Sequence, residues 1–152
     1  MTVLLVRDLM RHPVITATPR TTLPQLNQIL HEHHIRRVPI VDGDRLVGIV
    51  TRGDIRNAFP SDATTLSVYE LSYLLSRVTA AEIMRTAVIT IAADAPVVEA
   101  ARLMVHHKIS GLPVMDGRRM VGMISESDIL QAVVAGTLPL APPATTALSI
   151  AA

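Results

Sequence analysis

The 152-residue chain sets 14 Lys and Arg against 13 Asp and Glu, a net charge of +1 that gives no electrostatic basis for binding nucleic acid. It has no cysteine, which excludes disulfides, a thiolate zinc site and a cysteine nucleophile; its few aromatics (Phe59, Tyr69 and Tyr73) provide no stacking platform for single strands. Nearly half the residues are apolar and under a fifth are charged, which suits a compact fold with a core of Val, Ile, Leu, Met and Ala.

Along the chain, the opening MTVLLVRDLM is too short and too soon charged for a signal peptide. PVIT, residues 13–16, is a short β-prone run. Leu23, Leu26, Ile29, Leu30 and His33 then recur at helical spacing, behind Thr21 or Thr22 as the N-cap. RRVPIV and RLVGIVT flank Asp42-Gly43-Asp44, a hairpin signature in which glycine takes the positive φ of a tight turn. A helix is expected after Thr51. The polar stretch 57–65 follows, and Ser67-x-x-Glu70 makes a capping box for a connector helix. Val68, Leu71, Leu74, Leu75 and Val78 fall on one side of that helix, a stripe expected to pack on the rest of the chain or across a dimer contact.

The second half runs through the same series. AVIT occupies residues 87–90, and Val97, Ala100, Leu103, Met104 and His107 repeat at helical spacing with Asp94 as the expected N-cap. GLPVM and RMVGMIS flank Asp116-Gly117-Arg118, and a helix is expected after Ser125. No residue from Gln131 to Ala152 is charged, but Gly136, Pro139, Pro142 and Pro143 interrupt the stretch. It reads as a helix end and a Pro/Ala tail, not as a membrane span.

Displacing the chain by 74 residues aligns Met10–Ile55 with Met84–Ile129 without a gap, and 15 of the 46 positions are identical. GIVTRGDI (48–55) and GMISESDI (122–129) are the most conspicuous pair. An ungapped match of this length means two copies of one β-α-β-β-α unit, each with an apolar face that the other must cover. The fold class expected is α+β (α/β), a pseudo-two-fold pair with a connector helix. The units are placed at residues 1–60 and 79–135, with the connector at 61–78 and the tail at 136–152.

Asp-Leu-Met, Pro-Val-Ile-Thr, Arg-Arg-Val-Pro-Ile-Val-Asp and Gly-Ile-Val-Thr-x-x-Asp-Ile closely resemble the motifs of a CBS domain. Glu-Ile-Met, Ala-Val-Ile-Thr, Gly-Leu-Pro-Val-Met-Asp and Gly-Met-Ile-Ser-x-x-Asp-Ile resemble them equally, over roughly Val6 to Val133. The resemblance implies a regulatory pair with two clefts that bind AMP, ADP, ATP or S-adenosylmethionine, and two such pairs often associate into a disc. It further implies a cytoplasmic homodimer reporting to an effector protein, with no enzymatic activity, required cofactor or metal.

Physical chemistry offers two uses for the repeated corner. Thr51 and Ser125 stand where a strand passes to a helix, where free N–H groups and the helix dipole suit a phosphate, and Asp54 or Asp128 one turn on suits the two hydroxyls of a ribose. The same Thr-x-x-Asp spacing also makes a helix cap. Following the resemblance, site 1 comprises Val14, Ile15, Thr16, Arg36, Arg37, Val38, Pro39, Thr51, Arg52 and Asp54. Site 2 comprises Val88, Ile89, Thr90, Gly111, Leu112, Pro113, Ser125 and Asp128. Val14–Thr16 and Val88–Thr90 match the strand edge that reads adenine, and Val38-Pro39 and Leu112-Pro113 the apolar wall beside it. Arg36, Arg37 and Arg52 face Ser110, Gly111 and Glu126 at the matched positions, so the Thr51/Asp54 cleft is expected to prefer a phosphorylated nucleotide, unless these arginines form only a solvated face. His31, His33, His34, His106 and His107 cluster at helix ends without ligand spacing for a metal. The rival function is a structural dimerisation or protein-interaction module.

Overall fold

A computed structural model describes residues 3–60 and 65–139, so the tail beyond Pro139 lies outside the described residues. In the first unit, helix α2 (Leu23–Glu32) precedes the antiparallel hairpin β1 (Arg37–Asp42) and β2 (Arg45–Thr51), then helix α3 (Arg52–Ala58). In the second, strand β3 (Ile91–Ala92) and helix α6 (Val97–His107) precede the hairpin β4 (Gly111–Asp116) and β5 (Arg119–Ser125), then helix α7 (Glu126–Val134). Both hairpins turn at glycines of positive φ, Gly43 at 62° and Gly117 at 61°, as their Asp-Gly sequences require.

The first strand of each unit falls later than the β-prone runs suggest. PVIT and AVIT form no ladder; the parallel pairing is made by Ala17 with Ile40 and by Ile91–Ala92 with Val114–Met115. The β-propensity of Val and Ile is local, whereas the ladder forms where the chain meets the free edge of the hairpin. The cap of α6 also differs from expectation: helix α6 starts behind Pro96, and Asp94 sits in the preceding turn. In α2 the cap is Thr22, whose N–H donates to Gln25 Oε1 at 2.9 Å.

Two short helices, α1 (Val6–Leu9) and α5 (Ala80–Ile83), were not apparent from the sequence, and each belongs to the other unit's core. Val6 is fully buried among Ile91, Ala100, Met104, Leu112, Val114 and Ile124. Its counterpart Ala80 is fully buried among Leu23, Leu26, Leu30, Val38, Ile40, Val50 and Ile55. Backbone bonds fasten the exchange symmetrically: Val6 N–H to Ala95 O at 2.8 Å and Ala80 N–H to Thr21 O at 2.8 Å. Five residues further, Arg11 bridges Met123 of β5 and Arg85 bridges Ile49 of β2.

This exchange explains the repeated glycine of GIVT and GMIS. A Cβ at Gly48 would lie 2.5 Å from Met84 Sδ, and one at Gly122 would lie 2.5 Å from Met10 Sδ and 3.0 Å from the Arg11 carbonyl oxygen. Each glycine thus leaves room for a methionine from the other unit's leading segment, and Met, Arg, Gly and Asp recur together because they form one contact set.

The connector helix α4 (Val68–Leu75) starts at the expected capping box: Ser67 Oγ accepts from Glu70 N–H at 3.2 Å, and Glu70 Oε2 from Ser67 N–H at 2.8 Å. The expected stripe divides, however. Leu75 and Val78 pack against the first core, while Val68 and Leu74 are exposed beside Tyr69 and Tyr73. No helix among the described residues is long and apolar enough to cross a membrane.

Candidate functional site

Each hydroxyl-x-x-aspartate corner is a complete capping box. Thr51 Oγ1 accepts from Asp54 N–H at 3.2 Å, and Asp54 Oδ2 accepts from Thr51 N–H at 2.9 Å and from its hydroxyl at 3.0 Å. At Ser125 and Asp128 the same three distances are 3.4, 2.9 and 2.9 Å. The second carboxylate oxygen holds an arginine of the other unit's leading segment: Arg85 Nε lies 3.1 Å from Asp54 Oδ1, and Arg11 Nε lies 2.8 Å from Asp128 Oδ1. Both aspartate side chains are over nine-tenths buried, whereas both arginines are largely exposed. A carboxylate has about four lone-pair positions, and three are used here, so one on each Oδ1 is left for a further donor.

Two clefts run between the units, one beside each corner. The Asp128 cleft, about 470 Å³, takes Val14, Ile15, His33, His34 and Pro39 from the first unit and Ser125, Glu126, Ser127 and Asp128 from the second. The Thr51 cleft, about 610 Å³, takes Ile49, Thr51, Arg52, Gly53 and Arg56 from the first unit and Arg85, Val88, Ile89, His107, Lys108, Gly111 and Pro113 from the second. Both volumes lie in the range of small-molecule pockets.

The residues expected to act together within one copy are therefore crossed in space. Val14, Ile15 and Pro39 stand opposite Ser125 and Asp128, not Thr51; Val88, Ile89, Gly111 and Pro113 stand opposite Thr51. The exchanged leading segments cause this, because each carries its Val-Ile pair across to the other unit's strand. Val38 and Leu112 line neither cleft, for both are fully buried in the two cores. Strand alternation decides it: Val38 and Ile40 face the helices, so Arg37 and Pro39 face the cleft. Thr16 lines neither cleft, and Thr90 opens onto a separate groove with Asp42, Asp44 and Arg118 at the hairpin ends. Asp54 sits behind Thr51 and does not line its cleft, unlike Asp128.

Charge divides the two clefts sharply. Six cationic side chains line the Thr51 cleft (Arg36, Arg37, Arg52, Arg56, Arg85 and Lys108) and no carboxylate does. Arg11, Arg36 and Arg37 line the other, against Glu126 and Asp128. Arg52 also holds the Ile35 carbonyl through Nε at 3.3 Å. Arg37 is half-buried and donates to Ser110 Oγ of the second unit. Burial lowers its pKa from the ordinary arginine value, repulsion from Arg36 lowers it further, and Glu126 acts in the opposite direction.

Arg11 and Arg85 escaped the sequence reading of the site, although their identity across the repeat was visible; nothing local shows that each reaches the other copy's aspartate. His34 and Lys108, left-handed at φ 52° and 55°, likewise reach the clefts from matched helix ends. Among the described residues, no three His, Cys, Asp or Glu side chains come together as a metal site.

The fold and paired clefts are those of a tandem CBS pair. The CBS domain family model matches residues 6–61 and again 80–135, and the chain belongs to that family. A CBS domain-containing protein of Dictyostelium discoideum is 35% identical over 140 residues, covering 91% of this chain and 97% of its own length. The L-aspartate semialdehyde sulfurtransferase of Methanocaldococcus jannaschii is 37% identical over 127 residues, but this chain spans only 22% of that protein. Among solved structures, the CBS domain pair of protein MJ0100, in complex with 5′-methylthioadenosine and S-adenosyl-L-methionine, superposes with a TM-score of 0.73 at 34% identity. The match covers 90% of this chain and all of that one.

Proposed function

We propose that this chain is a regulatory module that binds adenosine-containing ligands and signals by a change in the angle between its two units. The observation that carries the reading is the composition of each cleft: a Val-Ile segment and a proline wall from one unit face a hydroxyl corner from the other. The adenosyl ligands of the 34%-identical CBS pair support the same ligand class. Charge assigns the clefts. The cationic Thr51 cleft takes the phosphorylated nucleotides, AMP, ADP or ATP. The Asp128 cleft, with Glu126 and an accessible Asp128, suits S-adenosylmethionine, whose sulfonium and ammonium groups are positive.

Mechanistically, a ribose hydroxyl in the Asp128 cleft competes with Arg11 for Asp128 Oδ1, loosening a tie between the units. The ligand shifts the resting angle only as far as it binds one arrangement more tightly. No chemical step is assigned to these residues, and the module acts on an effector protein in the cytoplasm. The division into units at residues 1–60 and 79–135 joined by 61–78 is part of this proposal.

A second reading, association as the primary role, draws on the exposed apolar residues of the helices. Val105 and Leu130 share a groove on α6 and α7 with Val98 and Val134 nearby in sequence, and α4 exposes Val68, Tyr69, Tyr73 and Leu74. A homodimer through α6 and α7 is compatible with ligand binding. Sedimentation of Val105→Glu against the parent chain measures it, with loss of the dimer expected.

Calorimetric titration with AMP, ATP and S-adenosylmethionine tests the ligand reading. Saturable binding is expected, weakened about ten- to a hundredfold when Asp128→Ala removes a charged hydrogen-bond acceptor. Absence of heat with all three ligands, for a chain that melts cooperatively, leaves association as the function.

A further inference from the structure

Arg37 has no equal in the second unit. The matched residue is Gly111, and the Arg37 guanidinium fills the space that a Cβ at Gly111 would need. Arg37 thus crosses the pseudo-two-fold axis to Ser110, and only one arginine fits there. From this position it lines both clefts. Among the described residues no carboxylate lies within ion-pair distance of it, although it is half-buried beside Arg36. A partly desolvated guanidinium with no ion-pair partner, offset only by Glu126 beyond ion-pair distance, gains from any anion brought within reach of its fork.

We propose that Arg37 is an anion receptor shared by the two clefts, so that a phosphoryl group bound in one takes it from the other and the chain holds a single anionic ligand at full affinity. This deepens the reading of the clefts as nucleotide sites, yet Arg37 can be tested without a nucleoside. The charge of the linings directs the first phosphoryl group held by Arg37 to the Thr51 cleft, where no carboxylate opposes it. A second phosphoryl group, in the Asp128 cleft, meets Glu126 and an arginine already engaged.

The test is a calorimetric titration of the full chain with inorganic pyrophosphate, with the Arg37 Nε–H resonance followed by NMR. The expected result is two steps at least about tenfold apart, with the Arg37 resonance moving in the first. Arg37→Gln, which keeps a donor toward Ser110, is expected to weaken the tight step about ten- to a hundredfold and bring the two steps together. Two equal steps in the parent chain, a resonance that does not move, or a tight step indifferent to Arg37→Gln would each overturn the proposal and leave Arg37 as a tie across the axis. If Arg37→Gln fails to fold, the parent resonance decides. Adenosine, which carries no phosphate, separates the two readings: if it does not bind while the pyrophosphate steps persist, the nucleoside assignment fails and the role of Arg37 stands.

Discussion

The two clefts are made from the same parts, yet one is a basin of positive charge and the other is nearly balanced. Arg36 and Arg37 line both, so the difference lies in other matched pairs: Arg52 against Glu126, Lys108 against His34 and Arg56 against Leu130, with Asp128 lining its cleft where Asp54 does not. The residues that hold the units together, by contrast, are the same on both sides: Met10 and Met84, Arg11 and Arg85, Gly48 and Gly122, Asp54 and Asp128. A duplicated unit retains what its clasp requires and varies what only the clefts present. Charge is cheap to alter at a rim and costly to alter at the clasp.

Breaking the clasp gives the largest effect. Gly122→Ala is expected to destabilise the chain by about 1–3 kcal/mol, because the added Cβ meets the Arg11 backbone as well as Met10. Gly48→Ala is expected to cost less, since the nearest atoms it meets all belong to the Met84 side chain. Urea unfolding of the two variants measures the difference, and equal costs would mean that the backbone contact is irrelevant. Next in size, Glu126→Arg gives the Asp128 cleft the residue of its counterpart. AMP affinity there is expected to rise about tenfold, with a steeper salt dependence, both read by titration in low and moderate salt.

Smaller effects follow from the ion pairs. Arg11→Ala and Arg85→Ala each remove a pair whose arginine is largely exposed, so about 0.5–1 kcal/mol of stability is expected to go. Their effects on ligand binding sharpen the comparison. Arg85→Ala removes a cation from the Thr51 cleft, whereas Arg11→Ala frees a carboxylate in the other. AMP is expected to weaken with the first, and S-adenosylmethionine to tighten with the second.

The smallest effect belongs to Ser67–Glu70, a further capping box that has no arginine partner among the described residues. The Ser67 N–H holds the Glu70 carboxyl below its ordinary value. A depressed folded pKa gives stabilisation that is complete above the unfolded value and lost as pH falls through the folded one. Fraying of α4 under acid, measured by amide exchange, is therefore expected to begin as pH falls through the ordinary carboxylate range and to be complete below the folded value.

Much of this architecture was legible in the sequence because it is periodic. Helices α2, α3, α4, α6 and α7, the hairpins with Gly43 and Gly117, and the Ser67 box follow from spacing and turn chemistry alone. The crossed clefts were not, since Arg11 meets Asp128 across 117 residues and no local signal announces that pairing. The inward placement of Val38 and Leu112 was available in principle: alternation along β1 puts Val38 with Ile40, leaving Arg37 and the buried Pro39 on the cleft side. The motif resemblance, which treats Val-Pro as a unit, hid that alternation. Val-Ile-Thr was offset for a related reason, because propensity marks extended chain without marking its partner.

The exchanged leading segments also set an order of events during synthesis. Val6 emerges from the ribosome early, but the pocket it fills is complete only once Ile124 has been made. At ordinary translation speeds that interval is on the order of ten seconds, during which α1 has no core to enter. The first unit meanwhile lacks Ala80 at its own centre. The first core is therefore free to close once residues 80–84 emerge, whereas the second waits for Ile124, so α1 is the last segment to find its place.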